Sequence, residues 1–463
     1  MKIHIMGIGG AGMSAIARIL HARGITVSGD DRAASPVLDA LQAEGIQTWV
    51  GHDPAHLDGI DVLAPSSAIG KTEPELVAAL QKGIPVWHRG DVLNMLMRDR
   101  SANQPTVGIA VAGTHGKSTT TGMIATILED AGLDPSFIIG ATPASIGVNA
   151  RSGEGSAFVV EADEYDRTFL HLEPKIAVVT NIEFDHPDIY RDLNDTIDTF
   201  VQFAHNLPAD GALIACADDE GVNEMLRRAE PLRATVVDYG FLRGSWRCTN
   251  PRPNPMGGVE FSLTALGGKA GNVSLRVPGE HNVLNAMAAL ATADAVGVSL
   301  EQAVSSLGRY TGAARRFELR GEKRGIRVFD DYAHHPTEIR ATLNAARMRY
   351  PVANIWAVWQ PHTYSRTIAL REQFMTAFAD ADQVIVLPIY AARERAEDFG
   401  FAANALNPIE LSRAIKHKHV RNAASMGDAL GMLISQARPG DVVITLSAGD
   451  GNMVGERLLE MLR

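Results

Sequence analysis

The sequence predicts an α/β protein of three domains, each built on a largely parallel sheet. The chain has 463 residues, which is too long for one hydrophobic core. Apolar segments of strand type alternate with segments of helical character along it. This alternation restarts near Val107 and again near Gly312, so we place the domains at 1–104, 105–312 and 313–463.

In the first domain, strand KIHIM (2–6) leads through GIGGAG into a helix that ends near His21. Strand ITVSGD, helix SPVLDALQAEG and short strands near IQTWV, VLAPSS and IPVWH follow. The polar segment RSANQPT (100–106) ends before a new strand and is a plausible linker.

The second and third domains repeat the alternation of strands and helices. Predicted strands of the second domain are VGIAVAG (107–113), SAFVVEAD (156–163), IAVVTNI (176–182), ALIACA (212–217) and VEFSLTA (259–265). Its alanine-rich segment 281–297 favours helix, and 244–275 reads as turns with β-ribbons. Predicted strands of the third domain are RVFDDYA (327–333), IWAVWQP (355–361), QVIVLPI (383–389) and DVVITLS (441–447).

The composition indicates which kinds of binding partner and which cellular location to expect. The net charge is −11, which argues against a nucleic-acid binder because such proteins carry a basic face. No apolar run is long enough to span a bilayer, and glycines break the N-terminal apolar run, so we expect neither a membrane anchor nor an export signal. The two cysteines, Cys216 and Cys248, fit no metal or disulfide pattern, and we expect a cytoplasmic protein.

GIGGAG has the form of a phosphate-binding turn between a strand and a helix. Gly7, Gly9 and Gly12 allow the backbone to approach a pyrophosphate at the helix N-terminus. Asp30 follows the next strand, near where a carboxylate would meet a ribose hydroxyl. These residues predict a dinucleotide or nucleotide-diphosphate site and do not separate NAD from a UDP-sugar.

GTHGKST (113–119) predicts a nucleoside triphosphate site, although valine stands at 111 where the usual loop has glycine. Gly113 and Gly116 let backbone N–H groups turn toward phosphate, and Lys117 supplies a charge. Ser118 at the helix start can ligate Mg²⁺.

Further polar motifs also follow predicted strands. Glu161 in EADEYD and His186 in TNIEFDH suit metal ligation, and Arg366 in QPHTYSR suits an anion. Asn282 in GEHNVLN suits a helix cap or an adenine edge. Each motif alone also fits an ordinary loop; their shared placement after strands favours one site.

Taken together, GIGGAGMS, GTHGKSTTT, EADEYDRTFLHL, TNIEFDHPD, GEHNVLNAMAA, ARRFE, DDYAHHPTE and QPHTYSRT resemble the Mur ligases in kind and order, over essentially the whole chain. The resemblance implies an N-terminal Rossmann-like domain that binds a UDP-sugar, a central P-loop ATPase and a C-terminal Rossmann-like domain that closes over the site. It implies UDP, not NAD, at the first glycine loop.

The implied activity is an ATP- and Mg²⁺-dependent amide-forming ligation through an acyl phosphate. The resemblance is strongest to members that join L-alanine to the lactyl carboxylate of UDP-N-acetylmuramate. The alternative is a ligase that adds a recycled L-Ala-γ-D-Glu-meso-diaminopimelate tripeptide to the same sugar nucleotide. No nucleic acid or membrane partner is implied, and we expect a monomer or weak homodimer.

The resemblance assigns residues by position. UDP-sugar binding falls to Gly7, Gly9, Gly10, Ala11, Gly12, Asp30, Ser66 and Ser67. Nucleotide binding falls to Gly113, Thr114, His115, Gly116, Lys117, Ser118, Thr119, His281, Asn282, Arg315 or Arg316, and Asp330 or Asp331. Metal binding falls to Ser118, Glu161 and His186. Catalysis falls to Lys117, Glu161, His186, His335 and Arg366.

Two departures from the family pattern stand out. Some relatives have arginine at the place of Thr363, and several sister ligases carry a carbamylated lysine after the DH motif. This chain has no lysine from Pro187 to Glu220, so we predict no carbamylated lysine.

Two readings from other classes compete. A nicotinamide-dependent dehydrogenase would use the first loop but leaves GTHGKST unexplained. A non-enzymatic P-loop switch would hydrolyse ATP without dependence on any amino acid.

Overall fold

The computed structural model of the protein describes residues 1–98 and 107–462. The predicted linker at 100–106 lies outside these residues. The described strands form three sheets, of four, ten and six strands. The sheets fall within the three predicted domains and confirm the α/β fold class, while the exact domain limits stay a prediction.

The first sheet is parallel throughout, in the order β3-β2-β1-β4. Its strands are Lys2–Met6 (β1), Thr26–Asp31 (β2), Gln47–Val50 (β3) and Val62–Pro65 (β4). Its helices are Ala11–Ala22 (α1), Pro36–Ala43 (α2), Pro74–Gln81 (α3) and Arg89–Met97 (α4).

The strand predicted at IPVWH is wrong. Val86 forms only an isolated parallel bridge with Leu63. Pro85 precedes it and has no N–H to donate, which shortens the possible ladder.

The second sheet has the order β14-β13-β12-β11-β10-β9-β5-β8-β6-β7. Its strands are Val107–Ala112 (β5), Ser136–Ile138 (β6), Ala150–Arg151 (β7), Ala157–Glu161 (β8), Ile176–Val179 (β9), Ala212–Cys216 (β10), Thr235–Gly240 (β11), Trp246–Pro253 (β12), Val259–Thr264 (β13) and Ala270–Ser274 (β14). Its helices are Lys117–Asp130 (α5), Leu193–His205 (α6), Glu220–Ala229 (α7), Glu280–Ala295 (α8) and Leu300–Leu307 (α9). The centre is parallel, and β5 lies between β8 and β9, so the loop after β5 sits where the strand order reverses.

The third sheet has the order β15-β16-β20-β17-β18-β19, and only β15 is antiparallel to its neighbour. Its strands are Glu318–Lys323 (β15), Ile326–Asp331 (β16), Ile355–Trp359 (β17), Gln383–Val386 (β18), Val420–Asn422 (β19) and Val442–Leu446 (β20). Its helices are Pro336–Arg349 (α10), Tyr364–Ala369 (α11), Arg371–Phe374 (α12), Phe401–Asn404 (α13), Pro408–Ala414 (α14), Met426–Gln436 (α15) and Asn452–Met461 (α16).

The central strand β5 is buried on both faces. Ala110 and Ala112 belong to a hydrophobic cluster that also contains Ile3 and Ile5 of the first domain. Ile109 and Val111, which point the other way, belong to a second cluster under α8. Burial on both faces explains why β5 reads as a continuous apolar run, and it fixes the loop that follows.

Close packing at Gly29 in β2 gives a test of the first domain. A Cβ there would lie 2.6 Å from the carbonyl oxygen of Ile5 and 2.6 Å from Ile8 Cδ1. We therefore expect Gly29→Ala to lower the free energy of unfolding by about 1–3 kcal/mol through overpacking. Scanning calorimetry checks this. Gly70→Ala is the control, since a Cβ at Gly70 meets nothing within 4 Å, and equal stability of the two variants would contradict the packing described.

Candidate active site

A cleft opens where the carboxyl ends of β5, β8 and β9 face the third domain. The predicted catalytic residues lie at the end of β8, at the start of α5, after β9, at the residue before α10 and within α11. Polar contacts connect these residues, beginning at the glycine loop after β5.

The glycine loop 113–116 needs both of its glycines. Gly113 has φ +132° and Gly116 has φ +84°, in the region that favours glycine. A Cβ at Gly116 would also lie 2.4 Å from Asn285 Oδ1 on α8. The loop is anchored by Asn181, whose side-chain oxygen accepts from the His115 N–H at 2.8 Å and whose carbonyl accepts from the Thr114 N–H at 3.0 Å.

The ammonium group of Lys117 lies at the mouth of this loop. Its Nζ donates to the carbonyls of Gly113 at 2.6 Å and Thr114 at 3.2 Å, and to Glu164 Oε2 at 2.7 Å. Burial lowers the pKa of Lys117, but Glu164 and Asp163 outweigh that effect and the net pKa is raised. Lys117 therefore keeps its charge.

Ser118 and Glu161 lie side by side at the start of α5 and the end of β8. Burial raises the pKa of Glu161, and hydrogen bonds from the Gly140 N–H and the Ser118 hydroxyl partly offset this. A hydroxyl and a carboxylate in contact are oxygen donors of the kind Mg²⁺ prefers.

Glu164 is a site residue that the sequence reasoning did not single out. It is almost fully buried, and its Oε1 has no hydrogen-bond partner. That oxygen lies 3.6 Å from His186 Nε2, and His186 has φ +54°, a strained value for histidine. A buried carboxylate oxygen without a hydrogen bond, beside a histidine, fits a metal ligand, and the Glu164 carboxylate is the member of this pair that Mg²⁺ prefers. The run of carboxylates in EADEYD was the available signal, but it does not show which of them turns inward.

The third domain docks on the segment Glu183–Asp185. Arg366 Nε donates to Asp185 Oδ1 at 2.6 Å, its Nη2 to Oδ2 at 3.3 Å, and both residues are buried. Thr337 Oγ1 donates to Glu183 Oε2 at 2.7 Å, and His335 Nε2 lies 3.3 Å from the carbonyl of Phe184.

His115 completes this interface. It lies between Glu183 at 3.4 Å and Glu338 at 3.3 Å. Burial lowers its pKa, but these two carboxylates raise it to about 9, so His115 is a cation at neutral pH. Burial and the nearby His115 lower the pKa of His335 to about 4, so His335 is neutral.

A cavity of about 290 Å³ adjoins the glycine loop between the second and third domains. Predicted nucleotide residues that line it are His115, Gly116, Ser118, Thr119, His281, Asn282, Arg316 and Asp331. Gly113, Thr114 and Lys117 belong to the adjoining loop. Asn285 and Glu338, which were not predicted as nucleotide residues, also line the cavity.

The structure distinguishes the members of the two pairs that the sequence left open, Arg315 or Arg316 and Asp330 or Asp331. Arg315 is turned away and donates to Asp330 Oδ2 at 2.9 Å and to the carbonyl of Ser447 at 2.7 Å. Arg316 lines the cavity with Asp331, and its nearest ion-pair partner is Glu338 at 3.6 Å. Arg315 and Asp330 do not line the cavity and contact each other instead, so the structure favours Arg316 and Asp331 of the two pairs.

In the first domain the glycine loop meets Ser66. Gly7 has φ +74°, and a Cβ there would lie 3.0 Å from Ser66 Cβ. Gly10 precedes α1 without a side-chain cap, so the first amides of this helix suit an anion. Ala11 and Gly12 begin this helix, and Ser67 follows Ser66 after β4.

Asp30 does not face this loop, and its assignment to a ribose is wrong. Its carboxylate is fully buried and contacts His52 at 2.6 Å and His56 at 2.9 Å. Asp31 instead accepts from the Gly9 N–H at 3.0 Å. The two neighbours point to opposite faces of the sheet.

Among the described residues, no helix has the length and apolar character needed to cross a bilayer.

Three family profiles match the chain in succession. Residues 2–101 match the Mur ligase family catalytic domain, 111–293 the Mur ligase middle domain, and 315–449 the Mur ligase glutamate ligase domain.

Curated relatives match the full length. A protein named UDP-N-acetylmuramate–L-alanine ligase from Renibacterium salmoninarum is 43% identical over 100% of this chain and 96% of its own. One of the same name from Clostridium acetobutylicum is 39% identical over 99% and 97%.

Solved structures of similarly named ligases resemble this chain over nearly its full length. The UDP-N-acetylmuramate-alanine ligase of Thermotoga maritima superposes with a TM-score of 0.80, at 26% identity, over 99% of this chain and 98% of that one. A murein peptide ligase from Psychrobacter arcticus gives 0.74 at 27% identity, over 100% and 98%.

The contact between Gly116 and Asn285 predicts a specific loss of nucleotide binding. In Gly116→Ala the added methyl must displace Asn285 or the loop, and we expect the Kd for ATP to rise about 10- to 100-fold. Isothermal titration calorimetry measures it. Gly132→Ala is the matched control, because Gly132 has a similar φ of +74° but open space around a Cβ. If both variants bind ATP equally, the loop is not the nucleotide site.

Proposed function

The chain belongs to the Mur ligase family, and we propose that it joins L-alanine to the lactyl carboxylate of UDP-N-acetylmuramate with conversion of ATP to ADP and phosphate. The observation that carries the proposal is the full-length similarity to relatives named for this reaction. The cleft supports it, since a charged lysine, a nucleotide-sized cavity and an anion-binding loop in another domain suit a reaction between two anionic substrates.

The reaction needs one anion to attack another. A lactyl carboxylate oxygen bonds to the γ-phosphorus of ATP, the bond to the β-phosphate oxygen breaks, and ADP leaves. Lys117 and Arg316 would oppose the negative charge that builds on the phosphates. The amine nitrogen of L-alanine then attacks the acyl phosphate carbon, phosphate leaves, and the amine gives up a proton.

Mg²⁺ held by the oxygen atoms of Ser118 and Glu161 would supply further positive charge at the phosphates, and Glu164 with His186 would hold a second Mg²⁺. The residues around it set the geometry. Asp185 binds Arg366, and the adjacent His186 lies 3.6 Å from Glu164.

The interface between the second and third domains would keep water out of the cleft. An acyl phosphate hydrolyses readily, so the cleft must be closed while it exists. The buried Arg366–Asp185 pair and the contact of His335 with Phe184 seal one side of it.

A tripeptide-adding ligase is the second candidate, because structures of such murein peptide ligases also superpose over much or all of the chain. Action in the cytoplasm, the absence of nucleic-acid and membrane partners, and a monomeric or weakly dimeric state stay predictions.

The reaction is tested by phosphate release from ATP in the presence of UDP-N-acetylmuramate. We expect release with L-alanine, and transfer of isotope-labelled oxygen from the lactyl carboxylate into the phosphate. Faster turnover with the tripeptide would favour the second candidate, and unlabelled phosphate would rule out an acyl phosphate. Lys117→Ala should lower the rate at least about 100-fold, whereas Lys175→Ala, which removes only a surface pair with Asp210, should not.

The orphan oxygen of Glu164 predicts a change in metal requirement. Glu164→Gln keeps the shape but removes the charge, so we expect the half-saturating Mg²⁺ concentration to rise about 10-fold or more. A rate titration with Mg²⁺ at fixed ATP measures it. Glu173→Gln is the control, since Glu173 is exposed and pairs with Arg98. An unchanged Mg²⁺ dependence in Glu164→Gln would remove Glu164 from the metal site.

A further inference from the structure

Four side chains of ligand type converge in the interior of the first domain. They are His4 on β1, Asp30 on β2, His56 in the short 3-10 helix Pro54–Leu57, and Glu75 on α3. One ligand atom from each lies within 4.8 Å of all the others. The reaction proposed above uses none of them.

The spacing of these atoms matches a tetrahedral ion. Bonds of about 2.0–2.2 Å in a tetrahedron put the ligand atoms about 3.3–3.6 Å apart. His4 Nε2 lies 3.0 Å from Glu75 Oε1 and 3.3 Å from Asp30 Oδ2. His56 Nδ1 lies 2.9 Å from Asp30 Oδ2 and 3.9 Å from Glu75 Oε2. These separations lie on both sides of the expected value, with His4 and His56 facing different oxygens of Glu75.

The charges are unusual for an interior. The side chains of His4, Asp30 and Glu75 are fully buried, and that of His56 is 13% exposed. Glu75 Oε1 is buried with no hydrogen-bond partner, although it points at His4. Two adjacent buried carboxylates are costly without a compensating cation or proton, and a divalent ion would neutralise both.

A second layer of contacts orients the ligand atoms. Ser28 Oγ lies 2.9 Å from His4 Nδ1, which leaves Nε2 facing the cluster. His52 Nδ1 contacts the other oxygen of Asp30 at 2.6 Å, and the Asp53 N–H donates to Glu75 Oε2 at 3.1 Å. Metal-ligating side chains are commonly held in this way.

We propose that His4, Asp30, His56 and Glu75 form a structural site for a divalent transition metal of the zinc class. Two imidazoles and two carboxylates at tetrahedral spacing suit Zn²⁺ better than Mg²⁺ or Ca²⁺, which prefer six or more oxygens. Four protein ligands leave no open position, so the role is structural. The ion ties four separate segments together directly beneath the first glycine loop, where the carbonyl of Asp30 accepts from the Gly7 N–H at 2.8 Å.

The test uses the full chain, stripped with a chelator and titrated with Co²⁺. We expect one equivalent to give the intense visible absorption of a tetrahedral Co²⁺ site, and Zn²⁺ to displace it. Zn²⁺ should also raise the temperature of the first unfolding transition, because it binds only the folded domain.

Two variants locate the ion. Glu75→Gln is isosteric, and His56→Phe keeps the ring stacked on Trp49 at 4.4 Å. Each should weaken Co²⁺ binding more than about 100-fold, beyond the loss seen for an outer contact. His115→Asn is the control, since His115, Glu183 and His335 form another group that could hold a metal. Its Co²⁺ spectrum should stay that of the unmodified chain.

The proposal is overturned if the folded chain gives no tetrahedral Co²⁺ spectrum, or if His115→Asn abolishes it. Retention of the spectrum in Glu75→Gln would also overturn it and would mean that the cluster is a metal-free hydrogen-bonded network. Circular dichroism verifies the fold of each variant, and should His56→Phe not fold, Glu75→Gln decides.

Discussion

Two buried ion pairs, Lys117–Glu164 and Arg366–Asp185, hold the arrangement of the cleft. Arg366 is buried and Lys117 is largely so, and each needs its carboxylate, since a buried charge left unpaired costs several kcal/mol. The pairs therefore fix the segments after β8 and β9 against the glycine loop and against α11. His186 has φ +54°, and its Nε2 lies 3.6 Å from Glu164 and 3.7 Å from Asp185.

The segment after β8 also connects the domains. Arg89 of the first domain donates to Asp163 at 2.8 Å, next to the Glu164 that binds Lys117. The third domain reaches the same cleft through Arg366 and Asp185. Carboxylates that follow two neighbouring central strands, β8 and β9, thus have partners in all three domains, which explains why the catalytic motifs are scattered along the chain.

The two glycine loops share one local structure but differ in the side chains that surround them. Both follow the first strand of their sheet and open a helix, so both present backbone amides to an anion. At the loop after β5 lies Lys117, whose charge suits a triphosphate, and the carboxylates beside it suit a metal. Below the loop after β1 lies a closed cluster of histidines and carboxylates, which suits holding the loop in place and leaves no group for chemistry.

The long central strands and the two glycine loops followed from the sequence, because periodicity, glycine spacing and Lys117–Ser118 in register are local properties. Short strands did not: the one predicted at IPVWH is wrong, and β6, β7, β11 and β19 were not predicted. Only the tertiary structure showed which of two neighbouring residues faces each site. At the first loop it is Asp31 and not Asp30. At the cavity they are Arg316 and Asp331, and after β8 it is Glu164 that turns inward. Asp30 and Asp31, like Asp330 and Asp331, end a strand and point to opposite faces, so one residue of register decides which carboxylate faces the loop or the cavity. That register is set by the neighbouring strands, and a linear sequence does not contain it.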